Sequence, residues 1–240
     1  MKQLTIITTL LLSVIYTNAQ SLNALIKKTT SDLTQNTKGV PVSTNEISNG
    51  LKEALAIGVS KGASLLSQPD GFFANAALKI LLPPEAKKIE STLRSIGMGK
   101  QVDEAILSMN RAAEDACKSA TPIFTNAIKQ MTVNDAIGIL KGSDTAATSY
   151  LQTKTTIELT NAFRPVIENS LQKTNATSQW TTLVNAYNKI SFKKINPDLA
   201  GYVTEKSLNG IYQQIAIEEK EIRKNPAVRT TDLLKKVFSN

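Results

Sequence analysis

Between residues 45 and 240 the apolar positions recur at three- and four-residue intervals, the pattern of helices with one buried face. Ile47, Leu51, Leu55, Val59 and Leu66 predict a helix running to about Ser67, and Ser43 and Glu46 have capping-box spacing at its start. Beside that apolar row lies a second row of small residues at strict four-residue spacing: Gly50, Ala54, Gly58 and Gly62. An interior glycine lowers helix stability by about 0.8–1 kcal/mol relative to alanine, so three on one stripe need compensation. A closely packed neighbouring helix would supply it, and so would a ligand lying against the bare backbone. Close packing is the preferred reading.

Gln68-Pro69-Asp70-Gly71 predicts a turn, followed by Phe72 and Phe73. Ala74 to Leu82 is apolar up to Pro83-Pro84. It reads as a short buried helix and then an extended stretch over 79–82, the one place where a short extended segment could enter. Pro84 suits the first turn of the next helix, and Gly97 its C-terminal cap. Residues 101–120 carry the clearest amphipathic helix. With Met109 at zero and a turn of about 100° per residue, Val102, Ala105, Ile106, Ala113, Ala116, Cys117 and Ala120 share its face. Asn110 and Glu114 fall at the edge of that stripe; Arg111, Asp115 and Lys118 fall on the opposite side.

Pro122 opens a short helix to Met131, Thr132 and Asp135 mark a fresh start, and Gly142 a stop. Ser143 or Asp144 is expected to cap a long helix from about Thr145. Its many threonines call for tertiary support, and Pro165 should kink or interrupt it. Ser178 is expected to cap a helix carrying Trp180, Leu183, Val184, Tyr187 and Ile190. Asn196-Pro197-Asp198 opens the last long helix and Asn225-Pro226 ends it. Thr230 or Thr231 then caps an amphipathic turn through Leu233, Leu234, Val237 and Phe238. The fold class expected is all-α: a single-domain multi-helix bundle with short Gly/Pro loops.

Residues 1–19 read differently. Lys2 precedes an apolar run from Leu4 to Tyr16, and Asn18-Ala19 forms a plausible cleavage site, as in a secretory signal peptide. The expected organisation is a signal peptide over 1–19, a weak N-terminal helix and linker over 20–44, and an all-helical domain over 45–240. The chain is thus expected to be exported, periplasmic or secreted, and soluble after cleavage.

Composition narrows the chemistry. There is no histidine, which removes Ser-His-Asp and Cys-His arrangements and every His-containing zinc site. Neither phosphate-cradling glycine motifs nor an EF-hand loop is present, and no cofactor or metal is expected. Cys117 is the only cysteine, so an internal disulfide is impossible; burial is the preferred reading, a reactive thiol or intermolecular bridge the alternative. The net charge of +8 is spread along the chain and aromatic residues make up only 5%, which argues against a nucleic-acid partner.

Several stretches together resemble a bacterial family, domain-of-unknown-function family 4197. They are Ile47 to Leu55, Asp70-Gly71-Phe72, Met109 to Glu114, Asp144 to Thr148, Glu219 to Pro226, and Val237-Phe238. The resemblance implies an exported, mainly helical domain and carries no catalytic or binding residues with it. Three functional readings follow. The first is a noncatalytic envelope protein binding an apolar or amphiphilic ligand, such as a lipid, or a protein partner, with the Gly50–Gly62 stripe as its candidate contact. The second is a carboxylate enzyme built on Asn110, Arg111 and Glu114, with Arg223 or Tyr202 brought in by the fold. The third is peripheral attachment to anionic membrane through the basic residues between Lys220 and Lys236.

Overall fold

The computed structural model describes residues 43–229 and 231–237. The expected signal peptide, weak helix and linker to Val42 lie outside the described residues, as do Thr230 and Phe238. The chain from Thr44 onward forms one compact unit.

Helix α1 (Thr44–Leu66) is followed by a long loop, a 3-10 turn at Pro84–Ala86 and a short α2 (Lys87–Ser95). Then come α3 (Gly99–Cys117), α4 (Ala120–Gln130), α5 (Val133–Leu140), α6 (Ala146–Lys173) and α7 (Ala176–Ile190). Helix α8 (Leu199–Lys224), a 3-10 turn at Pro226–Val228 and α9 (Asp232–Val237) complete the chain. No strand occurs among the described residues, so the all-α expectation holds.

Helix α6 sits at the centre, packed against α3 on one side and α8 on another. Phe163, Ile167, Leu171, Leu151 and Leu159 line its length and are fully buried. Of the two outcomes expected at Pro165, a kink or an interruption, the helix is not interrupted, and that packing explains why. A proline in a helix interior costs about 3 kcal/mol. The flanking Phe163 and Ile167 bury enough surface, at about 1.5–3 kcal/mol each, to offset it. Helix α1 packs against α8, α4 and α5, and α9 lies along α1.

Several ends differ from their expected form. The helix predicted over 101–120 stops at Cys117, and the chain turns at Lys118-Ser119 into α4, so Pro122 lies inside that helix's first turn. Residues 74–78 form turns instead of a short helix, and 79–82 have neither helix nor strand, with a bend at Leu82. Helix α7 starts at Ala176 behind a left-handed Asn175 (φ 56°), two residues before the expected Ser178 cap. Other ends match the sequence reading. Thr132 and Asp135 form a reciprocal capping box, Asp198 accepts from the Gly201 N–H at 2.9 Å, and Gly97 takes φ 86° after α2.

Candidate functional site

The predicted polar constellation on α3 is real in space but serves the loop between α1 and α2. Asn110 is wholly buried. Its Oδ1 accepts from the Ile80 N–H at 2.9 Å, and its Nδ2 donates to the carbonyls of Ile80 (2.8 Å) and Ile106 (2.7 Å). A side-chain amide thus pairs with loop backbone, satisfying both main-chain groups of Ile80. Glu114, one turn on, accepts from the N–H groups of Phe72 (3.1 Å) and Phe73 (3.2 Å) through one oxygen. Its other oxygen takes a 2.6 Å bond from Arg111, whose second Nη reaches Asp70 at 2.7 Å.

Asn110 and Glu114 are therefore not at the edge of a buried stripe, as helix geometry alone suggested. The loop over residues 67–82 covers that side of α3 and seals them in. Arg111 folds back toward the loop instead of facing away. A shallow depression borders Glu114, Arg111 and Lys118, but both Glu114 oxygens are committed to the loop and to Arg111.

Arg223 belongs to a separate cluster. Buried Glu219, 72 residues along the chain from Ala147, accepts from the N–H groups of Ala147 (3.0 Å) and Thr148 (2.9 Å) and from the Thr148 hydroxyl (2.8 Å). A carboxylate on α8 thereby caps α6, where orphan donors and the helix dipole favour negative charge. Ser143 and Asp144 do not fill that role; Asp144 pairs with Lys224 at 2.6 Å. Arg223 grips Glu219 at 2.8 Å and donates to the Ile139 carbonyl at 2.9 Å, closing the C-terminal end of α5. Tyr202 contacts neither carboxylate but holds the same loop as Asn110: its hydroxyl donates to the Leu81 carbonyl at 3.0 Å.

The small-residue stripe faces protein along its length. A Cβ added at Gly58 would touch Glu218 and Ile222 at 3.5 Å, and one at Gly62 would meet Gln214 at 3.3 Å, all on α8. Ala54 packs with Ile222, and Gly50 faces Val237 of α9, 2.7 Å from the added atom. Glu218 in that contact is buried and takes Lys61 at 2.7 Å. Cys117 is buried, and burial pushes its thiol well above the usual range. Among the described residues no group of histidines, cysteines and carboxylates could hold a metal ion.

One feature escaped sequence reasoning. Where α2, α3, α7 and the start of α8 meet, a half-enclosed cavity of about 320 Å³ opens. Ile89, Val102, Met109, Ala176, Trp180 and Leu199 form its buried wall, and Leu82, Leu93, Met98, Ala105 and Leu183 its rim. Only Gln101 and Gln179 are polar at its edge, and no charged side chain lines it. A second groove along residues 77–82 is larger, but it is open and edged by Lys87, Glu90, Gln152 and Lys206. Its volume is ordinary surface relief between helices. The apolar cavity has walls contributed by four elements, so no local pattern announces it; a lone tryptophan among apolar neighbours on α7 was the only signal.

No curated protein and no solved structure matches the chain. The model of one family, described as protein of unknown function (DUF4197), matches residues 41–239. The stretches that carry the likeness meet in pairs: Asp70-Gly71-Phe72 with Glu114, Ala147-Thr148 with Glu219, and Gly50 with Val237. They are the clamps that hold loop and helix ends in place, and with the match spanning nearly all of the helical unit, the chain belongs to the DUF4197 family.

Proposed function

We propose that the protein is an exported, noncatalytic binding protein of the cell envelope that holds an apolar or amphiphilic ligand in the α2–α3–α7 cavity. The observation that carries this reading is the cavity itself: about 320 Å³, walled by aliphatic side chains and one indole, with polar groups only at its edge. Small-molecule sites are concave and mainly apolar with few polar groups, and their volumes begin at about 300 Å³. The signal-like pattern of residues 1–19 supports export. No helix among the described residues is long and apolar enough to cross a membrane.

The other readings draw less support. A carboxylate enzyme needs a carboxylate facing substrate, and Glu114 and Glu219 are both buried and bonded to backbone donors. The basic C-terminal region is largely engaged within the chain: Lys224 with Asp144, Arg223 with Glu219, and Arg229 with the Ile222 and Arg223 carbonyls.

Trp180 is the only tryptophan, so its fluorescence reports on this cavity alone. Titration with a small naphthalene derivative should change its emission saturably. Ala105→Phe, which fills the cavity from the rim, should abolish the change. An emission that does not respond, or that responds equally in Ala105→Phe, overturns the reading.

A further inference from the structure

The loop between α7 and α8 presents a surface separate from the cavity. From Asn169 to Pro197 the chain holds four lysines and no aspartate or glutamate. Three of them, Lys189, Lys193 and Lys194, are exposed and bracket Phe192, which stands wholly in solvent at 106% exposure. The acidic residues that bound this stretch, Glu168 and Asp198, both pair with Arg164, so no carboxylate of the segment offsets the lysines. The basic region from Lys220 to Lys236 differs in this respect, since its charges are interleaved with acids.

The loop is held in this form by its own side chains. Asn188 Oδ1 accepts from the Ile195 N–H and its Nδ2 donates to the Ile195 carbonyl, both at 2.8 Å. Asn110 holds Ile80 by the same device, and here it closes residues 189–194 into a loop anchored on buried Ile195. Inside the loop the Ser191 hydroxyl donates to the Lys193 carbonyl at 2.9 Å, and Lys194 Nζ donates to the Asn188 carbonyl. A loop already tied in place gives up little conformational freedom when its tip is covered.

A single exposed apolar residue is ordinary; one ringed by uncompensated cations points to an anionic apolar surface. Contact area selects the kind of surface. One phenylalanine offers at most about 250 Å², whereas a stable protein interface takes about 800 Å² from each partner. A bilayer asks for less, because an aromatic side chain can enter the interface while lysines meet anionic headgroups. We infer that the α7–α8 loop docks on anionic lipid bilayers, with Phe192 inserted and Lys189 and Lys193 at the headgroups. The loop joins two helices that line the cavity, through Leu183 and Leu199, but docking does not require the cavity to be filled.

The test is co-sedimentation of the chain from Gln20 onward with vesicles of phosphatidylcholine, alone or mixed with phosphatidylglycerol. Binding should appear only with the anionic vesicles and weaken as salt rises from about 0.1 M to about 0.5 M. Phe192→Ser should weaken it about tenfold through lost apolar burial. Lys193→Glu should weaken it about tenfold or more, at roughly fivefold per unit of charge near the surface. Both side chains are exposed, so both variants should melt at the temperature of the unaltered protein. Absence of binding to anionic vesicles overturns the inference, as does equal binding to phosphatidylcholine alone. Binding that both variants leave unchanged also overturns it and moves the contact to another basic region. The Trp180 titration is indifferent to all these outcomes, so the cavity reading stands or falls separately.

Discussion

Asn110 holds the loop by satisfying both backbone groups of Ile80 in a place water does not reach. Asn110→Ala strands that N–H and carbonyl, at about 1–3 kcal/mol for each buried group left unpaired. We expect a loss of about 2–4 kcal/mol in urea unfolding; a loss below about 0.5 kcal/mol, the range of ordinary surface changes, would refute the clamp. The sequence put Asn110 and Glu114 at a helix edge, since the period of a helix knows nothing of a loop that folds over it later. Their residue types were still informative: an amide and a carboxylate beside an apolar stripe marked where backbone needed partners. Cys117 was legible for the opposite reason, lying squarely within that stripe. Its burial and raised pKa predict a thiol that stays inert to aromatic disulfide reagents in the native protein and reacts only on unfolding. Rapid native labelling would contradict its position.

At the scale of elements, two glycines in helices should respond in opposite directions. Gly138 lies in α5, exposed, and a Cβ there would meet nothing within 4 Å. Gly138→Ala should stabilise by about 0.5–1 kcal/mol through helix propensity alone. Gly210 lies in α8 beneath the Phe72 ring, and a Cβ there would fall 2.5 Å from Phe72 Cε1. Gly210→Ala should therefore cost about 1–3 kcal/mol, because Phe72 is fully buried and has nowhere to move. Thermal melts of both variants check the pair; a stabilising Gly210→Ala would mean that the loop does not seat on α8. Helix starts with local caps, such as Thr132 with Asp135 and Asp198 with Gly201, could be read from neighbouring residues. The start of α6 could not, because its cap comes from Glu219 on another helix. That the helix runs on through Pro165 was hidden for a related reason: the effect of a proline is local and the packing that holds the helix is not.

For the whole molecule, several carboxylates are held below their usual range, which sets how stability varies with pH. Lys118 does this for Asp115, the Thr132 backbone for Asp135, and Lys224 for Asp144. Burial opposes the shift at Asp198, but the two-pronged contact from Arg164 on α6 prevails. A carboxyl whose folded pKa lies below its unfolded value of about 3.9 contributes stability above that pH and loses it as the pH falls through the folded pKa. The melting temperature should therefore hold from about pH 7 to about pH 5 and fall below about pH 4. Asp198→Asn should melt lower near neutrality and show a shallower acid decline. A melting temperature that rises on acidification would reverse the sign of this account. The all-α architecture followed from periodicity, yet the cavity did not, since it exists only where α2, α3, α7 and α8 come together.

The measurement that bears most directly on the binding reading is native mass spectrometry, followed by organic extraction, of the protein purified from its own cell envelope. The account predicts a stoichiometric apolar or amphiphilic molecule whose buried part is about a dozen carbon atoms, lost when Ala105→Phe fills the cavity. A clean unliganded mass from the envelope, together with a Trp180 emission indifferent to apolar probes, would contradict it.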